Sequence, residues 1–126
     1  EKVARIAQSL PPVETFGPNR GDLLVVGWGS THGAITSAVE SAQQDGLAVS
    51  SIHLRHLNPF PSNLGEVLSR FDRVLVPELN AGQLAWLLRA RFLVDAVSMT
   101  KLKGQPFKVA EIRARIAELV GEGGQA

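Results

Sequence analysis

Short apolar runs and helical apolar patterns alternate along the chain. Residues 23–26 are wholly apolar, which is typical of a strand that a parallel sheet buries on both faces. Further strands are predicted at residues 48–54, 73–78 and 97–102. The alternation of strand and helix predicts an α/β fold, in which helices cover both faces of a mostly parallel sheet.

The segments between and after these strands have the period of amphipathic helices. We predict helices at residues 31–45, 64–71, 82–95 and 109–120. The last of these helices has a charged face opposite its apolar face. Its apolar residues are Val109, Ile112, Ile116, Leu119 and Val120. This helix is therefore expected to lie on the surface of the sheet.

The predicted helix at residues 82–95 is apolar on nearly every side. Its polar positions are mainly Arg89, Arg91 and Asp95. A surface helix of a monomer needs only one apolar stripe, so part of this helix is expected to face another domain or subunit. The sequence leaves open a second interpretation, a central helix that is buried on both sides within one domain.

Composition excludes several classes of function. The chain has 126 residues, which one domain with a single core accommodates. Its net charge is +1 and both signs are scattered, which argues against nucleic acid or an anionic membrane as the partner. The sequence has no long apolar run and no signal-peptide pattern, so we expect a cytoplasmic protein. Without cysteine, the chain cannot bind an iron–sulfur cluster through thiolates.

A glycine-rich turn, GWGSTHG at residues 27–33, follows the first predicted strand. A dinucleotide-binding fingerprint needs G-x-G-x-x-G and an acidic residue about 20 residues later for the ribose hydroxyls. Gly27 and Gly29 fit this pattern. His32, however, occupies the place of the third glycine, and Gly33 comes one position late. The match to the fingerprint is therefore incomplete.

The ribose-binding acid is also missing, because the second predicted strand ends near Arg55 with no Asp or Glu. The favoured interpretation is a tight strand-to-helix turn with Ser30 or Thr31 as the N-cap. A stand-alone Rossmann-like nucleotide-binding domain is the alternative.

The three histidines, His32, His53 and His56, are candidates for metal binding. His53 lies inside a predicted strand, and no acidic residue is close to it in sequence, so solvated or hydrogen-bonded histidines are the favoured interpretation. The sequence has no Ser-His-Asp or paired-carboxylate pattern. The residues alone therefore indicate no catalytic, cofactor-binding or metal site.

Glu78 and Asn80 lie where the third predicted strand ends and a helix begins. Open α/β sheets place functional groups at this edge. In the other interpretation, Asn80 caps the helix and Glu78 pairs with Arg55 or Arg73. The sequence leaves both interpretations open.

Four segments follow one another along the chain: DLLVVGWGSTHGAI, HLRHLNPFPSNL, RVLVPELNAGQLAWLLRARFLVD and KLKGQPF. Together they resemble the C-terminal part of the alpha subunit of 2-oxoacid:ferredoxin oxidoreductases. The first residues, EKVARIAQSLPPVE, resemble the end of a linker from a preceding domain. The resemblance implies a linker at residues 1–20, the domain at residues 21–121 and a frayed tail at residues 122–126.

This resemblance implies a transketolase C-terminal-domain-like fold. Such a fold has three α/β/α layers around a five-stranded, mostly parallel sheet, and its antiparallel first strand would be residues 13–16. The resemblance also implies an enzyme that uses thiamine diphosphate, Mg²⁺ and an iron–sulfur cluster to oxidise a 2-oxoacid with coenzyme A, reducing ferredoxin. The expected substrate is 2-oxoglutarate, with pyruvate as the alternative.

The implied cofactors belong to other domains and to the beta subunit, so we expect no cofactor in this chain and no activity from it alone. Its expected role is assembly, in contact with the beta subunit and with upstream domains. The PELNAGQ stretch matches a family motif near an interdomain surface, and the family's strand order would place the GWGS and PELN turns side by side. The predicted contact residues are Trp28, Arg55, Asn58, Phe60, Glu78, Asn80 and Gln83.

Overall fold

The computed structural model describes residues 12–55, 60–78, 83–101 and 105–124. Strands and helices alternate in these residues, as predicted. In chain order the elements are β1 (Gly21–Trp28), a 3-10 turn (Gly29–Thr31), α1 (His32–Gln44), β2 (Val49–Leu54), α2 (Leu64–Ser69), β3 (Phe71–Glu78), α3 (Gln83–Phe92), β4 (Ala96–Thr100) and α4 (Val109–Gly124).

Some ends of these elements differ from the predicted ones. Phe71 begins β3 rather than ending the helix before it. The last helix continues to Gly124, past the predicted end at Val120, and it includes residues that were assigned to the tail. Such shifts are expected because the apolar period identifies an element better than its ends.

The four strands form one parallel sheet in the order β2-β1-β3-β4. β1 lies between β2 and β3 and pairs with both. The chain leaves β1 toward β2 on one side and later returns to β3 on the other side. The gap between the carboxyl ends of β1 and β3 is therefore the switch point at which open α/β sheets present their loops.

Helices cover both faces of the sheet, which confirms the predicted three layers. Successive strand residues point to opposite faces, so Leu24 and Val26 pack under α2 and α3 while Leu23 and Val25 pack under α1 and α4. This two-sided burial explains why β1 is wholly apolar in its centre. None of the helices in the described parts of the chain is both long and apolar enough to cross a membrane.

The predicted fifth strand is not confirmed. At residues 13–16 the described chain has one antiparallel bridge, in which Phe16 and Ser51 exchange backbone hydrogen bonds of 2.8 and 3.2 Å. Gly17 follows at φ +112°, outside the strand region. Pro18 comes next and has no backbone N–H to donate. The antiparallel pairing therefore ends after a single bridge.

The interpretation of residues 82–95 as a helix buried on both sides is wrong. On α3, Leu84, Ala85 and Leu88 are buried against the sheet. Trp86, in contrast, is 64% exposed and Leu93, just after the helix, is 89% exposed. The helix therefore has one stripe in the core and a second apolar stripe on the surface.

Candidate functional site

The carboxyl ends of β1 and β3 form the centre of the candidate site. Because these strands are neighbours, Trp28 at the end of β1 and Glu78 at the end of β3 lie at the same edge of the sheet. The last paired residues of β1 and β3 are Val25 and Leu75, and each lies three residues before the end of its strand. The predicted placement of the GWGS turn beside the end of β3 is confirmed. Residues 79–82, which include the second half of the PELN turn, lie outside the described residues.

The two glycines of the GWGS turn have different structural roles. A Cβ on Gly27 would lie 2.4 Å from Cδ1 of Ile35, so the Ile35 side chain of α1 packs directly against the backbone of Gly27. Gly29 has open space around it but a φ of +69°, which L-residues with side chains rarely adopt. Both glycines are therefore explained by packing and backbone conformation.

The prediction that a Ser30 or Thr31 side chain caps α1 is not borne out at Thr31. Thr31 is the N-cap residue, but its side chain makes no capping hydrogen bond to the helix. Its hydroxyl instead donates to the carbonyl oxygen of Trp28 at 3.0 Å. This bond closes the turn from β1 into the helix and fixes the backbone at Trp28. The turn also has His32 in place of the third glycine of the fingerprint. Both features argue against dinucleotide binding.

Glu78 is a capping residue rather than a surface contact. It is only 2% exposed, and its two carboxylate oxygens accept the backbone N–H groups of Leu84 at 3.0 Å and Ala85 at 3.1 Å. These are free donors in the first turn of α3, and a carboxylate also suits the positive end of the helix dipole. Glu78 therefore joins the end of β3 to the start of α3.

This capping role corrects the expected pairing of Glu78 with Arg55 or Arg73. Arg73 makes an ion pair with Asp95 at 3.4 Å. The alternative cap, Asn80, lies outside the described residues.

The structure also moves Phe60 from the predicted contact face into the core. Its side chain is 8% exposed, and its ring centroid lies 5.8 Å from that of Phe92 at the end of α3. Phe60 comes after β2 in the chain, and its ring packs in the same core cluster as the buried residues of α2 and α3. Of the other predicted contact residues, Trp28, Arg55 and Gln83 are exposed. Asn58 and Asn80 lie outside the described residues.

A cavity of about 710 Å³ lies beside the end of β2. His32 and His53 meet there edge to face, with ring centroids 4.5 Å apart. This contact could not be predicted from the sequence, because it depends on the register that places His53 opposite Gly27. Phe16, Ser51 and Arg55 also line the cavity. Within the described residues, no group of three or more His, Asp or Glu side chains is placed to hold a metal ion.

The environment of His53 disfavours its protonated form. Burial lowers the pKa of His53 most, and the nearby His32 and Arg55 lower that pKa further through like-charge repulsion. The Nδ1 atom of His53 is buried and has no hydrogen-bond partner among the described residues. The imidazole therefore behaves as a neutral, half-buried side chain. His56 lies outside the described residues.

We expect His53 to make the stability of the domain depend on pH. The folded-state pKa lies below the usual value of 6.5, so near that pH the unfolded chain binds a proton at His53 more readily than the folded chain. Stability is therefore fully present above about pH 6.5 and decreases as the pH falls below it. In denaturant titrations between about pH 5 and 7, His53→Gln should flatten this decrease, and an unchanged slope would contradict the assignment.

Residues 21–112 match the protein family described as pyruvate:ferredoxin oxidoreductase core domain II. The chain belongs to this family. The resemblance inferred from the four sequence segments is therefore confirmed.

Relatives of this core domain II include the 2-oxoglutarate oxidoreductase subunit KorA of Mycobacterium tuberculosis (strain ATCC 25618 / H37Rv). The two are 48% identical over an alignment of 118 residues, and the match covers 90% of this chain and 18% of KorA. Among solved structures, the chain is similar to 2-oxoglutarate:ferredoxin oxidoreductase from Magnetococcus marinus, with a TM-score of 0.82. That structure was solved with 2-oxoglutarate, coenzyme A and succinyl-CoA bound. The identity is 28%, over 89% of this chain and 20% of that one.

A split-gene transketolase, solved as an inactive beta4 tetramer, has the same fold. Its TM-score is 0.63 at 17% identity, and the match covers 84% of this chain and 43% of that one. This likeness confirms the predicted transketolase-like architecture. The core domain II described here spans only 18% and 20% of the lengths of the two oxidoreductase relatives.

Proposed function

We propose that this core domain II is a non-catalytic assembly domain in the alpha subunit of a thiamine-diphosphate-dependent 2-oxoacid:ferredoxin oxidoreductase. The reaction converts a 2-oxoacid, coenzyme A and oxidised ferredoxin into acyl-CoA, CO₂ and reduced ferredoxin. The observation that carries the proposal is the 48% identity to KorA over 90% of the chain. That identity also supports 2-oxoglutarate, rather than pyruvate, as the substrate of the whole enzyme.

The non-catalytic role is supported by what the polar groups at the switch point do. The carboxylate of Glu78 is occupied by two backbone N–H groups of α3, and the Thr31 hydroxyl is bonded to the turn. These groups hold the fold together, so they are not free to act on a substrate. In the part of the chain that the structure describes, no group of three or more His, Asp or Glu side chains is placed to hold a metal ion, and the sequence has no cysteine to bind an iron–sulfur cluster. We assign thiamine diphosphate, Mg²⁺ and the iron–sulfur cluster to other domains and to the beta subunit of a cytoplasmic complex.

Contact with those other parts is proposed at the carboxyl edge of the sheet. Trp28 is 36% exposed there, and Arg55 and Gln83 are exposed nearby. Aromatic and arginine side chains often carry much of the energy of an interface. Asn58 and Asn80 remain proposed members of this face. Phe60 and Glu78 are not part of this face. Phe60 packs in the core, and Glu78 caps α3.

The test uses the intact oxidoreductase with the substitution Trp28→Ala. We expect the association of the subunits to weaken about tenfold or more, because truncating an aromatic interface residue typically costs this much. The melting temperature of the 126-residue chain should change little. Association is measured by analytical ultracentrifugation, and turnover is measured as ferredoxin reduction with 2-oxoglutarate and with pyruvate.

The matched control is Val109→Ala, which truncates a 40% exposed apolar residue on α4. This variant should assemble and turn over normally. Normal assembly of Trp28→Ala would place the contact face elsewhere. Absence of turnover with every 2-oxoacid tested in the wild-type complex would overturn the proposed activity itself.

A further inference from the structure

The surface stripe of α3 is the most exposed apolar feature of the described residues. Trp86 and Ala90 are four residues apart on α3, so they lie on one side of the helix, and Leu93 directly follows the last residue of α3. Leu84 and Leu88 lie on the opposite side, in the core. Trp86 is 64% exposed and Leu93 is 89% exposed. We call Trp86, Ala90 and Leu93 the α3 stripe.

Leu93 has an unusual backbone conformation as well as an exposed side chain. Its φ of +56° is the only positive φ of a non-glycine residue in the described parts of the chain. Helices commonly end with glycine or asparagine in this conformation, because a side chain with Cβ is strained there. A leucine that is both strained and exposed is explained if its side chain contacts another surface.

Basic side chains border the α3 stripe on both sides. Arg89 and Arg91 are exposed, and neither forms an ion pair with a carboxylate in the described part of the chain. Arg89 bonds back to the carbonyl of Ala85 at 3.4 Å, and Arg91 lies 6.0 Å from the ring centroid of Phe92. A partner with an apolar centre and an acidic border would complement this surface. A second copy of the stripe would not, because it would bring like charges together.

Val13, near the start of the described residues, lies on the same side of the sheet as α3. The side-chain amide of Asn63, the residue before α2, accepts the N–H of Val13 at 2.9 Å and donates to its carbonyl at 3.1 Å. Val13 packs against the same core cluster as Phe92 of α3. α2 and α3 are also close, since a Cβ on Gly65 would lie 3.2 Å from the ring of Phe92.

We infer that the α3 stripe is the docking surface for the upstream part of the same alpha-subunit polypeptide, which presents an apolar patch with an acidic border. The inference rests on the proposed function, and it adds a second contact surface to the strand-end face. The match covers only 18% of KorA, so a large part of such a subunit is available to pack here. Covalent attachment at Val13 raises the effective concentration of that part near α3.

The test places the photo-crosslinking residue p-benzoylphenylalanine at position 90 in the intact oxidoreductase. After irradiation, mass spectrometry identifies the crosslinked peptides. We expect crosslinks to the upstream region of the same alpha-subunit chain. The matched control carries the same residue at position 118, where the exposed Glu118 lies on α4 and faces away from α3. It should give no crosslink to that region.

The contact is tested further by reversing the basic border. Arg89→Glu combined with Arg91→Glu should lower the crosslink yield from position 90 about tenfold, because the charges would then repel an acidic border. A lower crosslink yield supports the inference, and an unchanged yield contradicts the proposal that the partner surface has an acidic border.

The crosslink partner decides the occupant. Crosslinks from position 90 to the beta subunit or to a second copy of this domain would overturn the inference, as would a yield no higher than that of the control. Turnover of the wild-type complex is measured separately. If turnover with a 2-oxoacid is present and the upstream crosslink is missing, only the docking inference fails, and the proposed activity stands.

Discussion

Replacing Glu78 by alanine is expected to lower the free energy of unfolding by about 2 to 3 kcal/mol. The carboxylate is 2% exposed and accepts two backbone N–H groups in the first turn of α3. Removing it takes away the hydrogen-bond acceptor of two buried donors. Urea or thermal denaturation of the chain measures the loss directly.

Two variants separate the capping role from other effects of the substitution. Glu78→Gln keeps one acceptor oxygen of the same reach and should recover part of the lost stability. Gln83→Ala changes an exposed residue in the first turn of the same helix and should stay within about 0.5 kcal/mol of the wild type. If the midpoint denaturant concentration of Glu78→Ala equals that of the wild type, the two hydrogen bonds do not stabilise the domain.

The predicted effect of this substitution differs from the one that the sequence suggested. As a surface contact, Glu78 could be replaced without loss of stability, and only assembly would suffer. As a buried cap, its loss also changes how α3 is held. Assembly defects of Glu78 variants should therefore be interpreted only beside their stability.

Gly27→Val is expected to destabilise the domain by about 1 to 3 kcal/mol, the typical cost of inserting atoms into a packed core. Its Cβ would lie 2.4 Å from Cδ1 of Ile35 and 3.2 Å from Oγ1 of Thr31. Ile35 is itself 2% exposed, so its side chain has little room to move away. Chemical denaturation measures the change.

The steric origin of that cost can be tested with a double-mutant cycle. The cycle uses Gly27→Ala, which adds only the Cβ atom. Ile35→Val removes the Cδ1 atom with which this Cβ collides, so it should recover part of the stability lost in Gly27→Ala. Gly29→Ala is the matched control, because its cost of about 1 to 2 kcal/mol comes from the φ of +69° rather than from a neighbour. Ile35→Val should not relieve it. Additive effects for Gly27 and Ile35 would contradict the steric explanation.

Much of the architecture could be predicted because it depends on short-range patterns. The apolar centre of β1 indicated burial on both faces, and the structure places alternate residues of that strand in the two core layers. The positions of the other strands and helices followed from their periods in the same way. The order of four sequence segments was enough to indicate the family, because residue identity and spacing are properties of the chain itself.

The fifth strand shows where such patterns are insufficient. Residues 13–16 could extend beside β2, but the backbone leaves the strand conformation at Gly17, and Pro18 offers no donor. The outcome is one bridge between Phe16 and Ser51. Whether a short segment pairs depends on the residues at both of its ends and on the free edge of the neighbouring strand.

The sequence by itself determined the type and order of the elements, the apolar faces that the core requires, and the family. Only the tertiary structure decided that Glu78 caps α3, that Phe60 is buried, that His32 meets His53, and that Trp86 and Leu93 face outward. The physical reason is one of range. Periodicity reports how one element relates to its surroundings on average, whereas these contacts join side chains from different elements and depend on strand order, register and the crossing of helices over the sheet.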